Sequence, residues 1–155
     1  SVTFNKIGTQ AVNCDLNVAN ILGVNAAPVP TFTGAIAISN SEASNFNSMT
    51  LAATDAEGDT ISFLVTVMPA HGTFKYTDVQ NNVIEVACTG QTLTSNNTIH
   101  ASTRVVQYRP AGTEGAGGVG RPNSTTFQYV TVTPVHTVAN GGAVTTTITI
   151  NTSAA

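Results

Sequence analysis

The sequence predicts an all-β protein in which two sheets pack face to face as a sandwich. Apolar residues recur at every second position through most of the chain, which is the periodicity of half-buried strands. Thr, Asn and Ser together make up about a third of the 155 residues. Branched Thr favours strands, and Asn and Ser favour turns. No segment of ten or more residues has apolar positions at helical spacing, so we expect at least seven short strands and no helices.

The first clear strands lie on either side of an acidic turn. Met49, Leu51 and Ala53 alternate with small residues, and the segment 61–67 alternates Ile, Phe and Val with other residues. Between them lies the polar stretch 55–59, in which Gly58 can adopt a positive φ. We expect the two strands to pair as a hairpin.

Later strands show the same alternation, with a break at Pro69 before the first of them and Pro110 at the end of another. They are expected at residues 72–77, at 84–88, around Val106 and Tyr108, at 127–132 and around 148–150. In the second of these, Ile84, Val86 and Cys88 share a face, so Cys88 should point inward.

Residues 112–122 form the one long glycine-rich segment. A phosphate-binding loop would require a Gly-Lys-Ser/Thr sequence and a helix after it, and neither follows. We therefore expect a mobile surface loop.

The charge content excludes several classes of partner. Only 8% of the residues are charged, the formal net charge is −3, and the five Lys and Arg residues are scattered. Nucleic acid requires clustered cations, and insertion in a membrane requires about 18 consecutive apolar residues. The sequence has neither, so we expect no nucleic-acid partner and no membrane insertion. A domain with so few charges has little charge repulsion between copies and associates readily, as the subunits of an assembly do.

Two cysteines, Cys14 and Cys88, have no CxxC partner, which argues against a zinc site. They predict one disulfide in an oxidising compartment, and the alternative is two buried thiols.

Residues 1–24 form an amino-terminal extension. The extension either packs on its own sandwich or adds a strand to a neighbouring subunit.

Three Asn-x-Ser/Thr sequences mark candidate glycosylation sites in turn-like or terminal sequence. They begin at Asn96, Asn123 and Asn151. Such sequences also arise by chance in a chain rich in Thr and Asn.

From residue 25 onward, five segments in order match a known type of repeat. They are an Asn-Ala-Ala-Pro-Val linker at 25–29, the acidic turn with its flanks at 51–61, Pro-Ala-His-Gly-Thr-Phe at 69–74, Val-Gln-Tyr-Arg-Pro at 106–110 and Thr-Phe-Gln-Tyr-Val-Thr-Val at 126–132. With these segments the chain resembles the cadherin-like, immunoglobulin-like tandem repeats of large adhesins and extracellular fibre proteins.

The resemblance implies an immunoglobulin-like (cadherin-like) Greek-key sandwich over residues 25–155, located outside the cell or on its surface. It also implies a role in adhesion or fibre building, with other copies or neighbouring repeats as partners. The extension with Cys14 and the long 112–122 segment depart from the repeats, which leaves open whether the chain is one repeat of an array or a subunit by itself.

The acidic turn is the candidate calcium site. Calcium takes six to eight oxygen ligands, and Asp55, Glu57 and Asp59 lie within five residues. Asn25 could approach the same end of a sandwich, and the resemblance adds Glu42, because related repeats use an acidic residue after the linker. Alternatively, Asp55 and Asp59 accept hydrogen bonds from backbone amides of the turn.

No catalytic pattern is present in the sequence. A hydrolase needs a nucleophile beside a histidine that a carboxylate orients, and His100 and His136 stand alone. His71 belongs to the repeat-like turn, where we expect a packing and hydrogen-bonding role. The sequence thus predicts a non-enzymatic extracellular structural module of a filament or appendage that binds no cofactor. The alternative is a calcium-dependent adhesion or glycan-binding module, whose partner is a cell-surface protein or a glycan.

Overall fold

The computed structural model describes residues 25–42, 45–115 and 122–153, and these form an all-β structure, as predicted. Among them there is no α-helix, only one 3-10 turn at Asn40–Glu42. Consequently, no helix in these ranges is long and apolar enough to cross a membrane. The strands are β1 Val29–Pro30, β2 Gly34–Ser39, β3 Asn47–Thr50, β4 Ala53–Thr54, β5 Ser62–Val67, β6 Thr73–Thr77, β7 Val83–Ala87, β8 Val105–Arg109, β9 Ser124–Val132 and β10 Val144–Ser153. The predicted extension, residues 1–24, lies outside the described residues.

The strands form two four-stranded sheets and one short pair. The first sheet has the order β2-β10-β9-β5, the second has the order β3-β8-β6-β7, and β1 pairs with β4. Neighbouring strands are antiparallel except for β2 and β10, which run parallel. The inward faces of the two sheets enclose one core.

The core consists of the alternating apolar residues that the sequence analysis placed on one face of each strand. Phe63, Val65 and Tyr129 are almost fully buried in the first sheet, as predicted. Phe127 meets Phe74 of the second sheet with ring centroids 5.0 Å apart, so the two sheets interdigitate. Each such side chain contributes about 1.5–3 kcal/mol by leaving water.

The predicted hairpin between residues 49–53 and 61–67 is wrong. β3 pairs with β8 in the second sheet, whereas β5 pairs with β9 in the first. The chain therefore passes from the second sheet to the first through β4 and the 55–59 turn. Period-two patterning identifies the buried face of a strand but not its neighbour, and the inward residues of both strands face the same core.

The strand directions define two opposite ends of the sandwich. The entry pole contains Asn25 and the 55–59 turn, close to where β10 begins opposite β9. At the other end, the exit pole, the last pair of the β2–β10 ladder joins Ser39 to Ser153. A ten-residue strand separates the poles, which corresponds to about 30 Å.

The glycine-rich segment differs from the expected surface loop at its start. Glu114 and Gly115 are buried at the exit pole, and residues 116–121 lie outside the described residues. Glu114 is buried because its carboxylate finds several hydrogen-bond donors there.

Candidate functional site

The acidic turn at the entry pole is organised by Asp55. Its Oδ1 accepts hydrogen bonds from the backbone amides of Glu57, at 2.9 Å, and Asp59, at 3.0 Å. Gly58, which lies between these two residues, has a φ of +78°, and this conformation lets both amides face Asp55. Asp55 thus has the turn-capping role that the sequence offered as the alternative to calcium binding.

The other two carboxylates of the turn hold the incoming chain. Asp59 Oδ2 accepts a hydrogen bond from the side-chain amide of Asn25 at 2.9 Å. Glu57 Oε1 accepts one from the backbone amide of Ala26 at 3.1 Å. As a result, the segment that leads into β1 is fixed to the turn that connects the two sheets.

Two buried oxygen atoms in this cluster, Oδ1 of Asn25 and Oδ2 of Asp55, have no hydrogen-bond partner in the part of the chain that the structure describes. Unpaired buried oxygens of this kind are rare, and they are the type of ligand that a calcium ion takes. Nevertheless, within the described residues no three His, Cys, Asp or Glu side chains are grouped as a metal site.

Glu42, the fourth predicted ligand, is not brought to this turn. It follows β2 in the 3-10 turn, and the end of β2 lies beside Ser153 at the exit pole. Asn40, in the same turn, donates a hydrogen bond to the carbonyl of Gly112, which places the turn beside the glycine-rich segment.

The exit pole holds a buried carboxylate that the sequence analysis missed. Glu114 is fully buried, and its Oε1 accepts hydrogen bonds from the Tyr108 hydroxyl at 2.8 Å and the Ala111 amide at 2.9 Å. Its Oε2 accepts one from the Thr152 hydroxyl at 2.7 Å. His71 Nδ1 lies 3.0 Å from Oε1 and completes the shell in the tautomer that has its hydrogen on Nδ1. This shell offsets the cost of removing the carboxylate from water.

The same contacts make the Tyr108 hydroxyl a poor acid. Burial raises its pKa well above the ordinary value, and its hydrogen bond to Glu114 raises it further. Tyr108 therefore stays protonated and remains a hydrogen-bond donor. The group as a whole connects β8, the 69–72 turn, the 111–115 segment and the end of β10.

Two glycines allow this close packing. A Cβ on Gly72, whose φ is +81°, would lie 2.4 Å from the Tyr108 hydroxyl oxygen. A Cβ on Gly115, with a φ of +70°, would lie 2.6 Å from the carbonyl oxygen of Ser153. The His-Gly turn of the repeat-like motif is thus explained by the space that Tyr108 occupies.

Cys88 is buried and points inward, as predicted from the alternation in β7. Burial raises the pKa of its thiol to about 12. Cys14 lies outside the described residues, so the Cys14–Cys88 disulfide stays a prediction.

The three candidate glycosylation sites lie in different surroundings. Asn96 is exposed in a turn with a φ of 53°, and Asn123 is exposed just before β9. Asn151 is also exposed, but it lies inside β10, where it pairs with Ser124 and Ala37. Occupancy at the three positions stays a prediction.

Sequence reasoning missed Glu114 because it lies in a segment with the composition of a surface loop. One feature of the sequence could have indicated it: Glu114 is an isolated acidic residue among glycines, six positions after the inward-facing Tyr108.

Comparison of the chain with protein-family models, with curated protein sequences and with solved structures gave no match.

Proposed function

We propose that the chain is a non-enzymatic structural module of an extracellular filament or surface appendage, with immunoglobulin-like, cadherin-like topology. The strand order supports this topology, because β2 runs parallel to β10 in one sheet while β3 begins the other. The five motif segments support it as well. The module contacts other copies of itself or neighbouring repeats.

One observation carries the proposal: the chain enters and leaves the sandwich at opposite poles. Asn25 is fixed to Asp59 at the entry pole, and Ser153 ends β10 at the exit pole. Modules joined through such ends extend in a line, each adding about 30 Å.

The β2–β10 ladder is suited to load along this line. Its six residue pairs run from Gly34 with Ile148 to Ser39 with Ser153. Tension between the poles pulls β2 towards the entry pole and β10 towards the exit pole. Because the ladder hydrogen bonds lie across this direction, they are loaded together rather than one after another.

The surface composition fits contacts between subunits. On the outward face of the first sheet, Thr145, Thr147 and Thr149 follow one another along β10, and none of these outward positions is charged. A neutral face of short side chains permits close approach of another copy without charge repulsion. The candidate glycosylation sites and disulfide are consistent with an extracellular location.

The buried carboxylate supports a structural role in place of a catalytic one. Glu114 has no exposure to solvent, and the Thr152 hydroxyl is directed at the carboxylate instead of at a histidine base. A nucleophile for acyl transfer needs that histidine and access to substrate.

Electron microscopy and sedimentation of the native material test this function. We expect oligomers or filaments whose axial repeat is compatible with one module. A species that is strictly monomeric under all conditions contradicts the proposal.

Pulling experiments test the load-bearing geometry separately. Force applied at the Asn25 and Ser153 ends shears the β2–β10 ladder, whereas force applied at Ser41 and Ser153 opens the same ladder one pair at a time. We expect the first geometry to rupture at the higher force. Equal rupture forces would contradict the load-bearing role of the β2–β10 ladder. Assembly into oligomers or filaments is tested separately, by microscopy and sedimentation.

A second candidate function, calcium-dependent adhesion, is favoured by the unpaired Asn25 Oδ1 and Asp55 Oδ2. Asn25, Asp55, Glu57 and Asp59 would hold the ion, which would fix the incoming chain relative to the sandwich. Melting temperatures with calcium and with a chelator test it, with Asp59→Asn as the variant. No shift in the unmodified chain removes this candidate.

A further inference from the structure

The outward face of the second sheet carries two cations around one aromatic ring. Phe46, which precedes β3 and is half-buried, has Lys75 Nζ 4.1 Å and Arg109 Cζ 4.6 Å from its ring centroid. Lys75 comes from β6 and Arg109 from β8, so three parts of the chain meet here. Such contacts between a cation and a ring are attractive, and they restrict the positions of the two charges.

Among the side chains that the structure describes, which do not include that of Glu42, neither cation has a salt-bridge partner. Glu85 of β7 is opposite Lys75 in register and is exposed, yet it does not pair with it. Two like charges held near one ring repel each other, and a bound anion would relieve this repulsion. Because their positions are already fixed, an anion would bind with little loss of side-chain entropy.

A depression of about 330 Å³ on the same face is lined by one of the two cations, Lys75. Lys75 and Gln107 line it on the side of the cations. Val83 and Val105 supply apolar surface, and Thr77 and Thr103 supply hydroxyl groups. The volume is at the lower end of the range for small-ligand sites, and the lining combines apolar surface with a few polar groups, as such sites do.

We propose that this face binds an acidic glycan through the carboxylate of a sugar acid. The carboxylate lies between Lys75 and Arg109, the apolar face of the sugar ring lies on Val83 and Val105, and Gln107 with the threonine hydroxyls binds the sugar hydroxyls. Gln107 Nε2 donates to Ser48 Oγ at 3.3 Å, which orients the amide and leaves its oxygen as an acceptor.

The chemistry of this face favours a glycan over a nucleic acid. A nucleic-acid backbone needs a longer row of cations than two. The neutral amide and hydroxyl groups beside the cations match the hydroxyl groups of a sugar, each of which both donates and accepts hydrogen bonds. This proposal stands on the geometry of the face and is independent of the filament function.

Calorimetric titration with a galacturonic acid hexamer at low salt tests the proposal, with maltohexaose as the neutral probe of equal length. We expect binding of the acidic hexamer that is at least about tenfold tighter than that of the neutral one, and that weakens as salt is added. Equal affinity for the two probes, or no binding of the acidic hexamer at about 1 mM, overturns it.

Substitutions locate the site. Lys75→Gln and Arg109→Gln should each weaken binding about tenfold, the effect of losing one charged hydrogen bond. Glu85→Gln removes the neighbouring negative charge and should strengthen binding. Arg104→Gln removes a positive charge that lies beside the Phe63 ring instead of the Phe46 ring, and it should have little effect. Melting curves show that each variant is folded, and affinities unchanged in both cation variants would overturn the proposal.

Discussion

The hydroxyl oxygen of Tyr108 lies 2.8 Å from Oε1 of Glu114, and neither side chain has any exposure to solvent. A carboxylate at such a depth is stable only while every donor around it is in place. The pair therefore joins the 111–115 segment to β8, and Thr152 extends the connection to β10.

Replacing Glu114 with Gln should destabilise the fold by about 3 kcal/mol. The amide has the same shape, but it lacks the charge that strengthens the hydrogen bonds from Ala111, Tyr108 and Thr152, and its NH₂ group forces the Thr152 hydroxyl to reverse and accept. Chemical denaturation followed by fluorescence measures the free energy of unfolding. Glu85→Gln, on the exposed face of β7, is the matched control and should change it by less than about 0.5 kcal/mol. Equal effects of the two substitutions would show that the buried carboxylate has no structural role.

Substituting two glycines that have nearly the same positive φ distinguishes two causes of lost stability. One is the strained backbone of a non-glycine residue, and the other is a steric clash of the new Cβ. Gly58→Ala, at φ +78° and with open space around the new Cβ, should cost about 1 kcal/mol. Gly72→Ala, at φ +81°, also forces Tyr108 away from its position, and it should cost at least about 3 kcal/mol. The difference in unfolding free energy between the variants is the measurement. If it is close to zero, Tyr108 can move without loss and the packing argument fails.

The fold class and the buried faces could be predicted from the sequence because apolar residues at every second position indicate which side chains of a strand are buried. The positions of Phe63, Val65, Tyr129 and Cys88 follow from it. Strand partners could not be predicted in the same way, since the acidic turn is compatible with both a hairpin and a crossing between sheets. Glu114 was missed because its donors come from segments far apart in the chain, and only the fold brings them together.

Asp78 should make part of the stability depend on pH. Its carboxylate accepts hydrogen bonds from the backbone amides of Asn82, at 2.8 Å, and Gln80, at 3.0 Å, and the bond from Asn82 is the main reason that its pKa is lowered. A group with a lowered folded-state pKa stabilises the fold above its unfolded pKa, about 4. This contribution is lost as the pH falls from there through the lowered value. Denaturation midpoints between pH 6 and pH 2 should fall less steeply for Asp78→Asn, and parallel curves for the two proteins would contradict the assignment.

The Cys14–Cys88 disulfide can be tested only on the unfolded chain. In the native state a thiol at Cys88 is buried and has a pKa of about 12, so it would not react with alkylating reagents at pH 8 whether or not it is oxidised. Alkylation in strong denaturant without a reducing agent, followed by intact-mass measurement, removes this ambiguity. We expect no alkyl group on protein secreted through an oxidising compartment and two after reduction.

The disulfide should also raise the unfolding free energy by about 4 kcal/mol relative to the reduced chain, because it closes a long loop in the unfolded state. Two alkyl groups without reduction would mean that the cysteines are thiols, and the extension would then need another means of attachment.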